Sequence, residues 1–323
     1  MKVSVVMITY NHGGFIQQAI ESVLAQQADF DYELLIGEDC STDNTADIVR
    51  AYQQKYPDRI RAVIRTKNVG GRKNAAELKQ MVRGEYVAML EGDDYWTCPH
   101  KLQRQVDFLE AHPDYSVCFH IAKMVWEDGS HPPVFHTPPG RKPTYTLEEL
   151  LVHDFVSTST VLVRHGLFPE YPDWYWQSPV GDWPFLVLHA MHGKLGYIDE
   201  CWSTYRQHGG GIHSSLTEEK RLEQRLRVVR LFRDVLGPKY RALLTRSLHA
   251  RCLTLALHYR KTGCRSLAKR YADLSIEESD SSRLARWRNT AKVLIYMHIP
   301  GLYEFVAHRR YARLVNECVR SLG

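Results

Sequence analysis

Three observations predict an α/β fold for this 323-residue chain: a Rossmann-like, mostly parallel sheet flanked by helices, followed by a helical C-terminal extension. Short apolar runs alternate with segments of helical periodicity through the first hundred residues. The loops after three of those runs (9–14, 37–43 and 91–98) are polar or acidic, and from about residue 215 the pattern is helical throughout. Such alternation yields βαβ units with right-handed crossovers, and ligands in such sheets sit beyond the carboxyl ends of the strands.

The elements follow in order. Val3 to Ile8 is an apolar run of the kind buried in a parallel sheet, Asn11-His12-Gly13-Gly14 is a turn, and Phe15, Ile16, Ala19, Ile20, Val23 and Leu24 recur at helical spacing. Glu33 to Ile36 reads as the second strand, with Ser41 or Asp43 capping a helix whose inner face is Ala46, Val49, Tyr52 and Tyr56. Strand Ile60 to Arg65, the turn Asn68-Val69-Gly70-Gly71, a helix from near Asn74 to Val82 and strand Tyr86 to Leu90 complete a third unit. Pro99 opens a helix carrying Leu102, Val106 and Leu109, Tyr115 to Ile121 is a strand, and 132–143 is a proline-rich loop. Thr146-Leu147-Glu148-Glu149 fits a capping box. Thr160 to Val163 and Leu195 to Ile198 read as strands, Asp182 to His192 as a helix, and Glu218–Leu236, Tyr240–Thr262 and Ser266–Ser275 as the terminal helices before a break at 279–282.

Composition narrows the class. With 44% hydrophobic and 24% charged residues and no glycine or proline excess, the chain is neither disordered nor fibrous. Seven cysteines without a CxxC pair fit reduced thiols and argue against structural zinc. No run approaches the roughly 18 apolar residues of a spanning helix, and the start lacks a small-residue cleavage site, so the expectation is a cytoplasmic protein. Charge is uneven: residues 1–214 hold 19 of the 42 Lys and Arg against 27 of the 37 Asp and Glu, a balance of −8, whereas 215–323 carry +13. A basic tail on an acidic body predicts an anionic partner for the tail.

The chemistry concentrates in Leu90-Glu91-Gly92-Asp93-Asp94, three carboxylates in four residues directly after an apolar strand. Packed like charges raise one another's pKa, so either a hard divalent ion, Mg²⁺ or Mn²⁺, offsets them or the loop is a solvated acidic turn. Glu38 and Asp39 precede a helix start and face the same crevice, where a carboxylate can accept from a base N–H or a ribose hydroxyl. Asp182, at the start of a helix, fits an N-cap as well as a general base.

Val3 to Asn11, Glu38 to Asp43, Asn68 to Asn74 and Glu91 to Asp94 occur in order and at spacing that together resemble the family-2 glycosyltransferases of the GT-A fold, from residue 3 to about 214. The resemblance implies a metal-dependent inverting transfer of a sugar from a nucleotide-diphosphate donor, a UDP-sugar by preference, to a saccharide or lipid-linked acceptor in surface glycan assembly. It implies a catalytic domain at 1–214, with a nucleotide-sugar half at 1–98 and an acceptor half at 99–214, and a basic helical region at 215–323. Thr9, Tyr10 and Asn11 then cradle the nucleoside, Asp39 contacts the base, and Lys73 stands where the family often has arginine. Asp93 and Asp94 are the ribose- and metal-binding pair, and Glu91 replaces the usual aspartate. Asp182 is the catalytic base; in the Tyr205 to His213 segment, Arg206 faces the diphosphate, His208 completes the metal shell, and His213 carries no assigned role.

Trp174, Trp176 and Trp183, with Ser159 before a strand, are read as acceptor contacts, and burial against the sheet is the competing reading of the aromatics. In the tail, Arg221, Arg225, Arg227, Arg230 and Arg233 could form a solvated helix face, meet anionic lipid at the inner face of the plasma membrane, or dock an acidic acceptor. The apolar residues at 293–297 and 302–306, flanked by Arg309, Arg310 and Arg313, suit an interface or an oligomer. A nucleotidyltransferase is the rival enzyme, yet its usual basic phosphate loop has no counterpart in residues 9–14. A non-catalytic nucleotide-sugar-binding scaffold is the rival of another class, and nucleic-acid binding is not expected.

Overall fold

The computed structural model describes residues 1–211 and 216–278. The readings at His213, at the 279–282 break, and along 293–313 lie outside the described residues, as does Cys318. The described cysteines are all free thiols.

The chain divides into two compact units. The first comprises Met1–Leu147, Phe155–Glu170 and Phe185–Ser215. Its frame is β1 (Val3–Thr9), β2 (Tyr32–Glu38), β3 (Ile60–Ile64) and β4 (Tyr86–Glu91), all parallel, in the order β3-β2-β1-β4. Helices α1 (Ile16–Leu24), α2 (Thr45–Lys55) and α3 (Gly71–Lys79) make the crossovers. Val3, Val5, Met7, Leu34, Ile36, Ala88 and Leu90 meet Ile16, Ala19, Ile20 and Val23 of α1 in one core. These strands are apolar nearly throughout because helices cover both faces of a parallel sheet.

The sheet continues through short antiparallel β9 (Leu162–Arg164), then β6 (Tyr115–Trp126) and its parallel neighbour β10 (Lys194–Gln207), and ends at β5 (Tyr95–Trp96). Because β9 is antiparallel to both β4 and β6, all the long strands run the same way. Two elements refine the sequence expectation. Residues 134–136 of the proline-rich segment form β7 (Val134–His136) on the edge of β6, and β8 (Thr144–Tyr145) pairs with β10. β10 is also far longer than Leu195–Ile198, since shifts in register near Ile198 to Ser203 let it bend and continue through Arg206. Helix α4 (Lys101–Ala111) packs Leu102, Val106 and Leu109 into the core.

The second unit comprises Glu148–Asp154, Tyr171–Pro184 and the chain from Leu216 onward. It holds most of α5 (Leu147–Val152), the short α6 (Asp173–Gln177), the first turn of α7 (Asp182–Ala190), and α8 (Glu218–Val235), α9 (Pro238–Lys261) and α10 (Arg265–Glu277). Thr217 caps α8, its side chain accepting from the Lys220 amide. The arginine stripe of α8 is partly neutralised: Arg230 and Arg233 both engage Glu278, and Arg233 also pairs with Asp234.

Candidate active site

Parallel register brings the loops together. Thr9 lies opposite Glu38, Ile8 opposite Glu91, and Glu38 opposite Ile64, so the segments after β1, β2, β3 and β4 leave the sheet at one edge. Side chains then tie them to one another. Asn11, at φ 55°, donates its amide to Ser41 Oγ and accepts from the Thr42 amide at 2.8 Å. Asp43 accepts from the Gly13 amide at 2.9 Å and the Thr45 amide at 3.0 Å, so it fastens the first loop to the start of α2 as well as satisfying a helix N–H. Those backbone bonds and the Thr45 hydroxyl outweigh the opposing effect of burial and hold Asp43 below the usual carboxylate range.

Asp39 is buried, and its two oxygens accept from the amides of Val69 and Gly70 at 2.8 and 2.9 Å. It therefore shapes the 68–70 turn ahead of α3, while each oxygen keeps a second lone pair. Asn74 donates to the carbonyl of Gly37 at 2.7 Å and accepts from Arg65. Lys73 points outward, with 60% of its side chain exposed, 3.8 Å from Glu77. Thr9 is buried, whereas Tyr10 is exposed.

The acidic loop has two different carboxylates. Asp93 Oδ2 lies 3.0 Å from His208 Nε2 and 3.6 Å from His12 Nε2. Donor atoms of these three side chains all fall within 4.8 Å of one another. Burial works against the Asp93 charge, but the His208 hydrogen bond and the His12 ring outweigh it and hold the group below its ordinary value. Burial lowers the His12 pKa despite Asp93, favouring the neutral ring that a metal requires.

Asp94, in contrast, is 1% exposed. One oxygen accepts from the Arg206 amide, and Oδ2 is buried with no hydrogen-bond partner among the described residues. Burial, then the neighbouring Asp93 and Glu91 charges, raise its pKa well above the normal range. Gly92 between them has to be glycine, because a Cβ would come within 2.6 Å of Thr9 Oγ1 and 2.7 Å of Thr9 Cβ.

A single carboxylate oxygen with two imidazole nitrogens is a donor set that fits a divalent transition ion, and the orphaned oxygen of Asp94 adds a buried acceptor in the same loop. The structure brings Asp93 and His208 together and adds His12, which the sequence did not single out. Its signal was position: His12 follows β1, the strand that pairs with β4.

Arg206 occupies β10 rather than a loop. Its guanidinium donates to Glu127, to the Asp93 carbonyl at 2.6 Å and to Gln18, and lies over the rings of Tyr95 and Phe15. These contacts make it a brace beneath the acidic loop.

The four acceptor residues separate. Trp183 is 0% exposed, donates its indole N–H to the Leu150 carbonyl at 2.8 Å and packs on Phe232, and Trp174 also faces Phe232. Ser159 is fully buried beside Ser203. Neither Trp183 nor Ser159 offers a surface to an acceptor, which corrects the expectation from sequence: Trp183 is packed against Phe232, and Ser159 is buried with its hydroxyl donating to Ser203 and its carbonyl accepting from the Trp96 indole. Trp176 is 45% exposed and meets Tyr171 and Tyr175 edge-on. Asp182 is exposed at the head of α7 and accepts from the Trp183 amide at 2.8 Å.

Comparison with known proteins agrees with this architecture. Residues 4–171 match the family described as Glycosyl transferase family 2. An uncharacterised protein of Mycobacterium tuberculosis is 36% identical over 219 residues, covering 68% of this chain and 62% of its own, so this chain spans less than two thirds of that relative. A Bacillus subtilis protein named for teichuronic acid biosynthesis, the glycosyltransferase TuaG, is 30% identical over 66% of this chain and 82% of its own. Among solved structures, S. aureus TarS 1–349 in complex with UDP-GlcNAc aligns with a TM-score of 0.55 at 18% identity, over 88% of this chain and 95% of its own. The mannosyltransferase PcManGT of Pyrobaculum calidifontis, in complex with GDP-Man and Mn²⁺, gives 0.56 at 15% identity, over 98% and 86%. The fold is GT-A, and the chain belongs to glycosyl transferase family 2.

Proposed function

We propose that the protein is a metal-dependent, inverting glycosyltransferase that uses a nucleotide-diphosphate sugar. The observation that carries the reading is the convergence of His12, Asp93 and His208 at the carboxyl edge of the sheet, beside the turn that Asp39 holds. In this reading Thr9, Tyr10 and Asn11 border the nucleoside, Asp39 presents the 68–70 turn and meets the base, and Lys73 reaches the nucleotide from outside.

His12, Asp93 and His208 would hold the ion, with Glu91 and Asp94 supplying charge beside it. The mixed nitrogen and oxygen set favours Mn²⁺ over Mg²⁺, which prefers oxygen alone. The bound ion supplies charge neutralisation for the departing diphosphate. Asp182 takes the proton of the acceptor hydroxyl as that oxygen bonds to the anomeric carbon and the bond from carbon to the diphosphate oxygen breaks. Attack from the opposite face inverts the centre.

A uridine carrier is preferred on family resemblance, and TarS with UDP-GlcNAc and PcManGT with GDP-Man define the two bases to compare. A saccharide or lipid-linked acceptor of surface glycan assembly fits the relative named for teichuronic acid biosynthesis, and Trp176 offers the ring face on which a sugar can stack. No described helix is long and apolar enough to cross a membrane. We place the protein in the cytoplasm, with the arginines of α8 left unpaired by Glu278 as its contact with anionic lipid on the inner face of the plasma membrane.

A donor screen tests this. Purified protein is incubated with Mn²⁺ and UDP-GlcNAc, UDP-glucose or GDP-mannose, following thermal shift and slow hydrolysis in wild type, Asp93→Asn and Asp182→Asn. One sugar nucleotide should stabilise the wild type only with metal, Asp93→Asn should lose that shift, and Asp182→Asn should bind without turnover. If no sugar nucleotide binds with any divalent ion, the reading is wrong.

A further inference from the structure

Arg65 stands directly after β3, and its amide donates to the Glu38 carbonyl at 3.0 Å, so it leaves the sheet at the edge where the 68–70 turn lies. Its guanidinium reaches across to α3. Nε donates to Asn74 Oδ1 at 3.0 Å, and Nη1 pairs with Glu77 Oε2 at 2.6 Å. Asn74 and Glu77 are three residues apart and so neighbours on one side of the helix. The same Nε lies 3.9 Å from Asp39 Oδ1, with the arginine side chain 13% and the aspartate 3% exposed. Asn74 is fully buried and completes the link, its side chain donating to the Gly37 carbonyl at 2.7 Å and its amide to the Gly70 carbonyl at 3.0 Å. Gly37 has to be glycine for that approach, because a Cβ would lie 2.3 Å from Asn74 Oδ1 and 2.8 Å from Leu78 Cδ1. The ends of β2 and β3, the turn and the start of α3 are thus joined through one guanidinium.

We propose that Arg65 is a positioning residue for nucleotide recognition: by tying Asn74 and Glu77 to the ends of β2 and β3, it holds the Val69 and Gly70 amides on Asp39 and so aims the remaining lone pairs of that carboxylate at the base. The inference rests on the reading of Asp39 as the base contact, and Arg65 acts through Asp39 rather than by touching the nucleotide. Two features favour an arginine here. The planar fork meets Asn74 and Glu77 at once, which a lysine ammonium on its flexible stem does not reproduce. Its charge also lies beside a buried carboxylate and offsets the cost of taking that charge out of water. Asp39 spends one lone pair of each oxygen on the turn, so the direction of the other two is set by where Val69 and Gly70 are held.

The test is calorimetry on the full chain with Mn²⁺, in wild type, Arg65→Gln, Arg65→Lys, Asp39→Asn and the Arg65→Gln, Asp39→Asn double variant. The probes are UDP, GDP and inorganic pyrophosphate, which carries the diphosphate without a base. For whichever nucleotide the wild type binds, Arg65→Gln should weaken affinity by about tenfold, the worth of one charge-assisted hydrogen bond, and leave pyrophosphate unchanged. Arg65→Lys keeps the charge without the fork and should fall between the two. The double variant should lose little beyond Asp39→Asn alone, since both substitutions act through one carboxylate. Hydrogen exchange at the Val69 and Gly70 amides should quicken in Arg65→Gln. Wild-type nucleotide affinity in Arg65→Gln overturns the inference, and so does an equal loss of pyrophosphate, which marks a general loosening of the fold. Should Arg65→Gln fail to fold, Arg65→Lys decides, and nucleotide affinity equal to wild type there overturns the inference. If Asp39→Asn binds the nucleotide as wild type does, or the wild type binds neither UDP nor GDP, the reading of the site fails first and the inference falls with it.

Discussion

The backbone amide of Arg206 donates to Asp94 at 3.0 Å while its guanidinium donates to the carbonyl of Asp93 at 2.6 Å, so one residue of β10 grips both aspartates of the acidic loop. The grip uses the main chain of Asp93 and leaves its carboxylate to the histidines. Like charges in adjacent residues repel, and the brace is what holds the loop in place before any ion arrives.

Arg206→Gln should therefore cost about 1–3 kcal/mol, because the buried guanidinium gives up charge-assisted bonds to the Asp93 carbonyl and to Glu127, while Glu127, 40% exposed, turns to water. Arg206→Lys should recover only part of that, since an ammonium cannot reproduce the planar fork that meets three partners. Urea unfolding at pH 7 measures both, with Lys73→Ala as an exposed control expected to change stability by less than about 0.5 kcal/mol.

Asp39 leads to a second expectation. Its oxygens satisfy the amides of Val69 and Gly70, and Asn can accept through one oxygen alone. Asp39→Asn should cost about 1–3 kcal/mol and weaken UDP binding. Calorimetry with UDP and Mn²⁺ reads the second effect; unchanged affinity would remove Asp39 and its turn from the nucleotide site.

The edge where these groups meet was legible in the sequence because its cause is local. An apolar strand followed by a polar loop, repeated, fixes which loops share an edge, and Glu38 to Asp43 and Glu91 to Asp94 stand directly at strand ends. What stayed hidden depends on long-range pairing. The rank of Asp93 over Asp94 as partner of His208 is decided by Arg206 in β10, 112 residues from Asp94. Trp183 and Ser159 look like exposed polar or aromatic contacts in sequence, yet Phe232 and Ser203, both remote, bury them. Lys101 lies one residue before core Leu102, and nothing in the spacing marks it as buried.

The metal cluster makes a third prediction. His12→Ala, Asp93→Asn and His208→Ala should each weaken Mn²⁺ by at least about tenfold, the loss that even outer-shell changes bring. Thermal shift against Mn²⁺ concentration, without nucleotide, provides the readout. A variant lacking His12 that binds Mn²⁺ as wild type does would reduce the cluster to Asp93 and His208.

Lys101 supplies the last prediction, one of stability against pH. Its ammonium is fully buried, donates to Gln105 at 2.7 Å and lies 4.1 Å from the centre of the Trp96 ring. Burial lowers its pKa from 10.5 to about 7. The unfolded chain binds this proton up to about 10.5 and the folded chain only up to about 7, so folding is penalised fully below pH 7 and the penalty fades as pH rises through that window. Lys101→Met removes the titration at similar volume. Relative to wild type, the variant should be about 2–3 kcal/mol more favoured at pH 6.5 than at pH 9, whatever its absolute stability after Gln105 loses its donor. Paired urea titrations at the two pH values give the difference directly. A difference of zero would mean that the amine keeps its proton in the folded state, with the Trp96 face and Gln105 sufficient to hold the charge.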